Sequence, residues 1–134
     1  MASNWILVAD DDLEDQEMVT EVIGQLDNSI EISTASDGRE ALAKITALSD
    51  EKLPALLILD YKMPYMNAGE VLEALARDNR YSQIPKIVWS TSNREDDVNR
   101  CLQAGASRYF VKPSRFSELR TIVRQMLEFC KLSN

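Results

Sequence analysis

Histidine is absent from these 134 residues. With it go the usual general base, the commonest metal ligand, and any nucleophile system built on a Ser–His or Cys–His pair. Cysteine is scarce as well: Cys101 and Cys130 make no disulfide framework and read as small apolar residues on helix faces. With 4 Gly and 4 Pro there is no low-complexity tract and no linker. No apolar run approaches the roughly 20 residues of a membrane span. The start, Met1-Ala2-Ser3-Asn4-Trp5, lacks the basic and apolar regions of a signal peptide, so a cytoplasmic protein is expected. Basic residues are in the minority, 15 against 22 acidic, for a net charge of −7. That balance disfavours direct binding to nucleic acid or to an anionic membrane and leaves proteins or cations as partners. The length suits one domain with one sizeable core, expected to run from about residue 4 to residue 131 of 1–134, with no room for a second domain.

What is present is an alternation of short apolar runs and amphipathic stretches. Leu56-Leu57-Ile58-Leu59 is an unbroken apolar run that stops at Asp60, and Trp5-Ile6-Leu7-Val8-Ala9 stops likewise at Asp10-Asp11-Asp12. Such runs fit strands buried on both faces, as in parallel sheets. Between them, Met18, Val19, Val22, Ile23 and Leu26 recur at helical spacing, with Asp12 and Asp15 placed to cap the helix. Residues 29–34 alternate Ile30 and Ile32 with Glu31 and Ser33, the pattern of an edge strand, and a second helix is expected from Asp37-Gly38 to about Ser49. After Pro64 a helix is expected over about 69–77. A strand, Ile87-Val88-Trp89, then ends at Ser90-Thr91, and a helix carrying Val98, Cys101 and Leu102 closes at Gly105. A fifth strand, Tyr109-Phe110-Val111, ends at Lys112-Pro113. The last helix, ending at about Lys131, places Phe116, Leu119, Ile122, Val123, Met126, Leu127 and Cys130 on its apolar face. Strand and helix alternate five times, which argues a three-layer, doubly wound parallel α/β sheet.

Four of the five strands end in reactive polar groups: Asp10 and Asp11, Asp60, Ser90, and Lys112. Alone, the acidic triplet reads as a capping turn, Lys112 as a surface lysine and Ser90-Thr91 as a helix start. Together they share the sheet edge where open α/β folds bind ligands. If the first and third strands are neighbours about 4.8 Å apart, the carboxylates converge. Two of them about 4 Å apart repel by roughly 4 kcal/mol at an effective dielectric near 20, so the cluster calls for a cation. All-oxygen donors favour a hard ion such as Mg²⁺. Its habit of sharing a phosphate points to phosphoryl chemistry on a carboxylate, with Lys112 and Ser90 supplying a positive charge and a donor.

The motifs Val8-Ala9-Asp10-Asp11, Leu59-Asp60-Tyr61-Lys62-Met63-Pro64, Ser90, Gln103-Ala104-Gly105-Ala106-Ser107 and Tyr109-Phe110-Val111-Lys112-Pro113 resemble the receiver domain of bacterial two-component response regulators. The resemblance covers nearly the whole chain and implies a flavodoxin-like, chemotaxis-regulator-like (βα)5 fold with strand order 2-1-3-4-5. It further implies that Asp60 accepts a phosphoryl group from a histidine kinase or phosphotransfer protein. Asp10, Asp11, Asp60 and the Lys62 backbone carbonyl would hold Mg²⁺, for which Mn²⁺ can substitute. Ser90 matches the switch hydroxyl, Lys112 the phosphate-pairing lysine, Tyr109 the switch aromatic, and Pro113 a proline whose preceding bond is expected to be cis. The output surface would be the fourth helix, fifth strand and fifth helix, with Arg94, Asp97, Arg108, Tyr109, Arg120 and Arg124. It would meet an unknown protein target or a second copy of the chain, and no output domain is expected. Where the family has Asp-Gly after its proline, this chain has Asn67-Ala68-Gly69, so a different loop path is expected, because Ala tolerates positive φ poorly. The chain also looks like single-domain regulators associated with phytochrome-type kinases. The implied role is a signalling phosphoacceptor rather than an enzyme. Two other readings compete with it. One is a phosphatase of the haloacid-dehalogenase type, although Asp60-Tyr61-Lys62 lacks that class's second acid; the other is a scaffold with a degenerate site.

Overall fold

A computed structural model describes residues 4–130. Five parallel strands, β1 (Trp5–Ala9), β2 (Glu31–Ala35), β3 (Leu56–Asp60), β4 (Lys86–Ser90) and β5 (Arg108–Val111), form one sheet in the order β2-β1-β3-β4-β5. Helices α1 (Leu13–Leu26), α2 (Gly38–Thr46), α3 (Ala68–Ala76), α4 (Glu95–Gln103) and α5 (Phe116–Leu127) connect and flank it. This is a flavodoxin-like (βα)5 architecture with the strand order the resemblance implies, and β2 is an edge strand, in keeping with its alternating pattern. Among the described residues no helix is long and apolar enough to cross a membrane.

The unbroken apolar runs are explained by the two faces of the sheet. Successive residues of a strand point to opposite sides. Leu7, Leu57, Leu59 and Val88 therefore enter a core with Ala41, Ile45, Val71, Leu72 and Cys101 of α2, α3 and α4. Ile6, Val8, Ile58, Ile87 and Trp89 enter a second core with Val19, Val22, Leu119, Val123 and Met126 of α1 and α5. The register pairs Ala9 with Leu59, Asp60 with Trp89, and Ser90 with Val111, which brings the carboxyl ends of β1, β3, β4 and β5 to one edge.

Several expectations are revised. The expected strand at residues 29–34 begins only at Glu31, because the Asp27 carboxylate accepts from both the backbone N–H and the hydroxyl of Ser29 and turns the chain there. The helix expected to reach Ser49 ends at Thr46, and a short 3₁₀ turn over Asp50–Lys52 follows. The last helix ends at Leu127, and Lys131 lies outside the described residues. Met18 and Phe116, expected in core stripes, are 37% and 52% exposed. Met18 sits at the rim of the stripe set by Val19, Val22 and Ile23, and Phe116 is the first residue of α5. In their place Gln16 is buried, its side-chain amide donating to the carbonyls of Asp10 and Ala35 at 3.1 Å and tying β1 to β2.

The bond expected to be cis before Pro113 is trans, like every peptide bond among the described residues. Trans is the intrinsically favoured isomer by about 0.5–1 kcal/mol. With it, the Lys112 backbone N–H donates to the Ser90 carbonyl at 2.7 Å and the ammonium still reaches its carboxylates. The loop after Pro64 does not strain Ala68. Asn67 has φ −77° and caps α3 in a reciprocal capping box with Glu70, and Ala68 lies in the first helical turn. The positive φ falls instead on Tyr65, at 69°, whose ring lies under the Arg39 guanidinium at 4.0 Å. Gly105, with φ 114°, follows α4 and terminates it as expected.

Candidate functional site

The ends of β1, β3, β4 and β5 each deliver part of the site. Asp10 follows β1 and is fully buried, and its Oδ1 accepts from the backbone N–H of Asp12 at 2.9 Å. Asp11 is exposed beside it, and Asp60 ends β3. Carboxylate oxygens of Asp10, Asp11 and Asp60 all lie within 4.8 Å of one another. Lys112 follows β5. Its Nζ stands 3.1 Å from Asp10 Oδ2, 2.8 Å from Asp15 Oδ2 and 3.4 Å from Asp60 Oδ2, and it lies 4.7 Å from the centroid of the Trp89 ring.

The electrostatics follow from crowding in a mostly dry place. Burial, followed by the nearby Asp10 charge, pushes the Asp60 carboxyl up to about 8, against the pull of Lys112. Burial also raises Asp10, despite the Asp12 N–H and Lys112 favouring its charge. Burial works against the Lys112 ammonium too, but Asp15, Asp60 and Asp10 outweigh it and hold that lysine above its ordinary range. One ammonium does not neutralise the carboxylates around it. The remaining charge, on oxygen donors alone, fits a hard divalent cation.

Ser90 is buried at the end of β4, and its Oγ accepts from the Ser92 backbone N–H at 3.1 Å. Ser92 donates its own hydroxyl to Asp97 Oδ2 at 2.9 Å, and its carbonyl receives the Tyr109 hydroxyl at 2.7 Å. Ser90, its loop, α4 and β5 are thus joined by one hydrogen-bonded chain. The Lys62 side chain is exposed.

The geometry therefore brings together Asp10, Asp11, Asp60 and Lys112, with Ser90 at the end of the neighbouring strand. Two contributors escape sequence reasoning. The sequence offers both Asp12 and Asp15 as capping residues, and only Asp12 caps, accepting from the N–H groups of Glu14 and Asp15. The Asp15 carboxylate goes instead to Lys112, a partner 97 positions away. Trp89 reads from sequence only as core, but its ring forms the wall behind that ammonium.

Residues 6–124 match the family model of the response regulator receiver domain. The chain belongs to this family. The receiver is similar to the rice two-component response regulator ORR7, 26% identical over 124 residues, covering 92% of this chain and 57% of that protein. The chain thus spans little more than half of that relative. Among solved structures it resembles the phosphorylated cyanobacterial phytochrome response regulator RcpA, with TM-score 0.86 and 29% identity over 96% of this chain and 94% of that one. It also resembles the Mn²⁺-bound response regulator Rcp1, with TM-score 0.84 and 25% identity over 98% and 97% of the two chains.

Proposed function

We propose that this receiver is a Mg²⁺-dependent phosphoacceptor in which Asp60 takes a phosphoryl group from a histidine kinase or phosphotransfer protein. The observation that carries this reading is the convergence of Asp60 with the Asp10 and Asp11 carboxylates, with the Lys112 ammonium in contact with both Asp60 and Asp10. RcpA is phosphorylated and Rcp1 is Mn²⁺-bound in their structures, which supports the same chemistry here. Asp10, Asp11, Asp60 and the Lys62 carbonyl would hold the cation. When bound it offsets the negative charge shared by the nucleophile and the incoming phosphoryl group. An Asp60 oxygen bonds to phosphorus, the phosphorus–nitrogen bond to the donor histidine breaks, and that electron pair stays on the imidazole nitrogen. Lys112 and the Ser90 hydroxyl then donate to the phosphoryl oxygens. A donor approaching the cleft beside Lys112 meets Met18 and Phe116, apolar side chains exposed along its lining.

The acyl phosphate adds about −1.5 to −2 of charge. It would draw Ser90 inward, and the Ser90–Ser92–Tyr109 chain carries that movement to α4 and β5. The output face comprises α4, β5 and α5, which carry Arg94, Asp97, Arg108, Tyr109 and Arg124 together with the exposed Leu102 and Val111. Arg120 donates to Gln25 of α1 at 2.9 Å and belongs more to the packing of α5 on α1 than to a partner. The phosphatase reading would require a second acid where Lys62 stands.

The test is intact mass after incubation with Mg²⁺ and acetyl phosphate, beside Asp60→Asn. One phosphoryl adduct, lost without Mg²⁺ and lost in the variant, is expected. Turnover of a small phosphate ester would favour the phosphatase, and a folded protein that neither binds Mg²⁺ nor takes up phosphoryl would favour the scaffold.

A further inference from the structure

Lys112 has one more carboxylate than the phosphoacceptor chemistry uses. Asp10 and Asp60 belong to the cluster that fits a divalent cation, whereas Asp15 does not. A cation held by Asp10 and Asp60 would engage their charge, weaken their pull on Lys112 and repel the ammonium. Asp15 is then the carboxylate whose charge remains available to Lys112. It makes the shortest of the three contacts, 2.8 Å, with the lysine side chain only 8% and its own 24% exposed, so this is no solvated surface pair. The first turn of α1, fixed by the Asp12 cap, holds Asp15 in place, and the helix N-terminus favours its charge. On the other side the buried Trp89 ring walls off retreat.

Resting on the phosphoacceptor reading, we propose that Asp15 is a positioning residue that keeps the Lys112 ammonium within reach of a phosphoryl group on Asp60 while the divalent cation is bound. Asp15 touches neither the cation nor the phosphoryl group and acts through Lys112. It distinguishes this receiver from a minimal site in which the lysine is steadied only by the metal-binding acids.

The test uses the full chain, Mg²⁺ and acetyl phosphate, followed by intact mass. An Asp60 oxygen bonds to phosphorus, the bond from phosphorus to the acetyl oxygen breaks, and acetate leaves with that electron pair. Asp15→Asn keeps an acceptor oxygen but removes the charge. It is expected to slow phosphorylation at saturating acetyl phosphate on the order of tenfold, the weight of one charge-assisted hydrogen bond in a mostly dry site. The half-saturating acetyl phosphate concentration should change by less than about threefold, because Asp15 does not contact the donor. Asp12→Asn removes the same unit of charge from the same helix end and still caps, so its rate should stay within about twofold of wild type. In a Lys112→Met background, adding Asp15→Asn should change the already slow rate by less than about twofold. An undiminished rate in Asp15→Asn, equal slowing by Asp12→Asn, or independent effects in the double variant would each overturn the proposal. Should Lys112→Met fail to fold, Asp15→Glu decides instead: recovery of most of the rate supports a tether, and none overturns it. A wild-type chain that takes up no phosphoryl group overturns the phosphoacceptor reading as well, an outcome distinct from failure of Asp15 alone.

Discussion

The Tyr109 hydroxyl donates to the Ser92 carbonyl at 2.7 Å, fastening β5 to the loop that leaves Ser90. Removing this hydroxyl in Tyr109→Phe leaves the ring's packing and deletes one partly buried hydrogen bond, a loss of about 1 kcal/mol. Amide exchange over residues 91–94 is expected to quicken, while the phosphorylation rate of Asp60 stays within about twofold. Identical exchange in the two proteins would count against the proposed route from Ser90 to the output face.

The carboxylate cluster makes a second expectation. Asp60 is buried beside Asp10, and its carboxyl is pushed up to about 8. Neutralising it in Asp60→Asn should therefore stabilise the metal-free protein, by roughly 1–2 kcal/mol. The same change should remove most of the Mg²⁺-dependent rise in melting temperature, since a ligand stabilises only what binds it. Thermal melts of both proteins with Mg²⁺ and with chelator measure both effects. A metal-free variant less stable than wild type would show that Lys112 already balances the cluster.

Gly38 opens α2 directly beneath Met66, so that a Cβ there would collide with the Met66 carbonyl oxygen. Alanine normally improves a helix over glycine by about 1 kcal/mol. Here Gly38→Ala should instead destabilise by about 1–3 kcal/mol, because backbone on the β3–α3 connection must move. Gly24 in α1 has no such neighbour, and Gly24→Ala should stabilise by about 0.5–1 kcal/mol. Urea denaturation of the pair checks the contrast, and effects of the same sign would refute it.

These neighbours show what can be read from the chain alone. Asp10, Asp60, Ser90 and Lys112 are legible because each ends an apolar run, and parallel pairing leaves such ends on one edge. Asp15 and Gln16 are not, because both lie on a helix whose local rules already explain an acidic and a polar residue near its start. Their partners, Lys112 and the carbonyls of Asp10 and Ala35, are supplied by tertiary packing. Ala68 looks misplaced in the sequence only if the turn is put at the Asn67–Ala68 pair; Tyr65 reverses the chain instead. Phe116 fits helical periodicity, but periodicity cannot tell that the residue opening α5 is left half exposed.

Cys101 gives the pH dependence a clean handle. Its thiol is fully buried on the inner face of α4, and burial pushes its pKa from the ordinary 9.0 up to about 11, with the nearby Arg100 opposing. A folded-state pKa above the unfolded one means that the native protein holds the proton more tightly. The associated stability is complete below pH 9, then lost as pH rises toward 11. Holding the proton that much more tightly contributes at most about 3 kcal/mol, since each tenfold in proton affinity is worth about 1.4 kcal/mol. Tyr61 and Tyr109, both raised above 10.0 mainly by burial, lose stability in the same direction at higher pH, so wild type must be compared with a variant rather than with itself. Cys101→Ala should be less stable than wild type at pH 7 by about 1 kcal/mol, for the lost sulfur contacts. Near pH 10.5 that deficit should shrink or reverse, because alanine has no proton to lose. Urea midpoints at the two pH values decide it, and a deficit that stays constant would mean the thiol is not kept protonated by the fold.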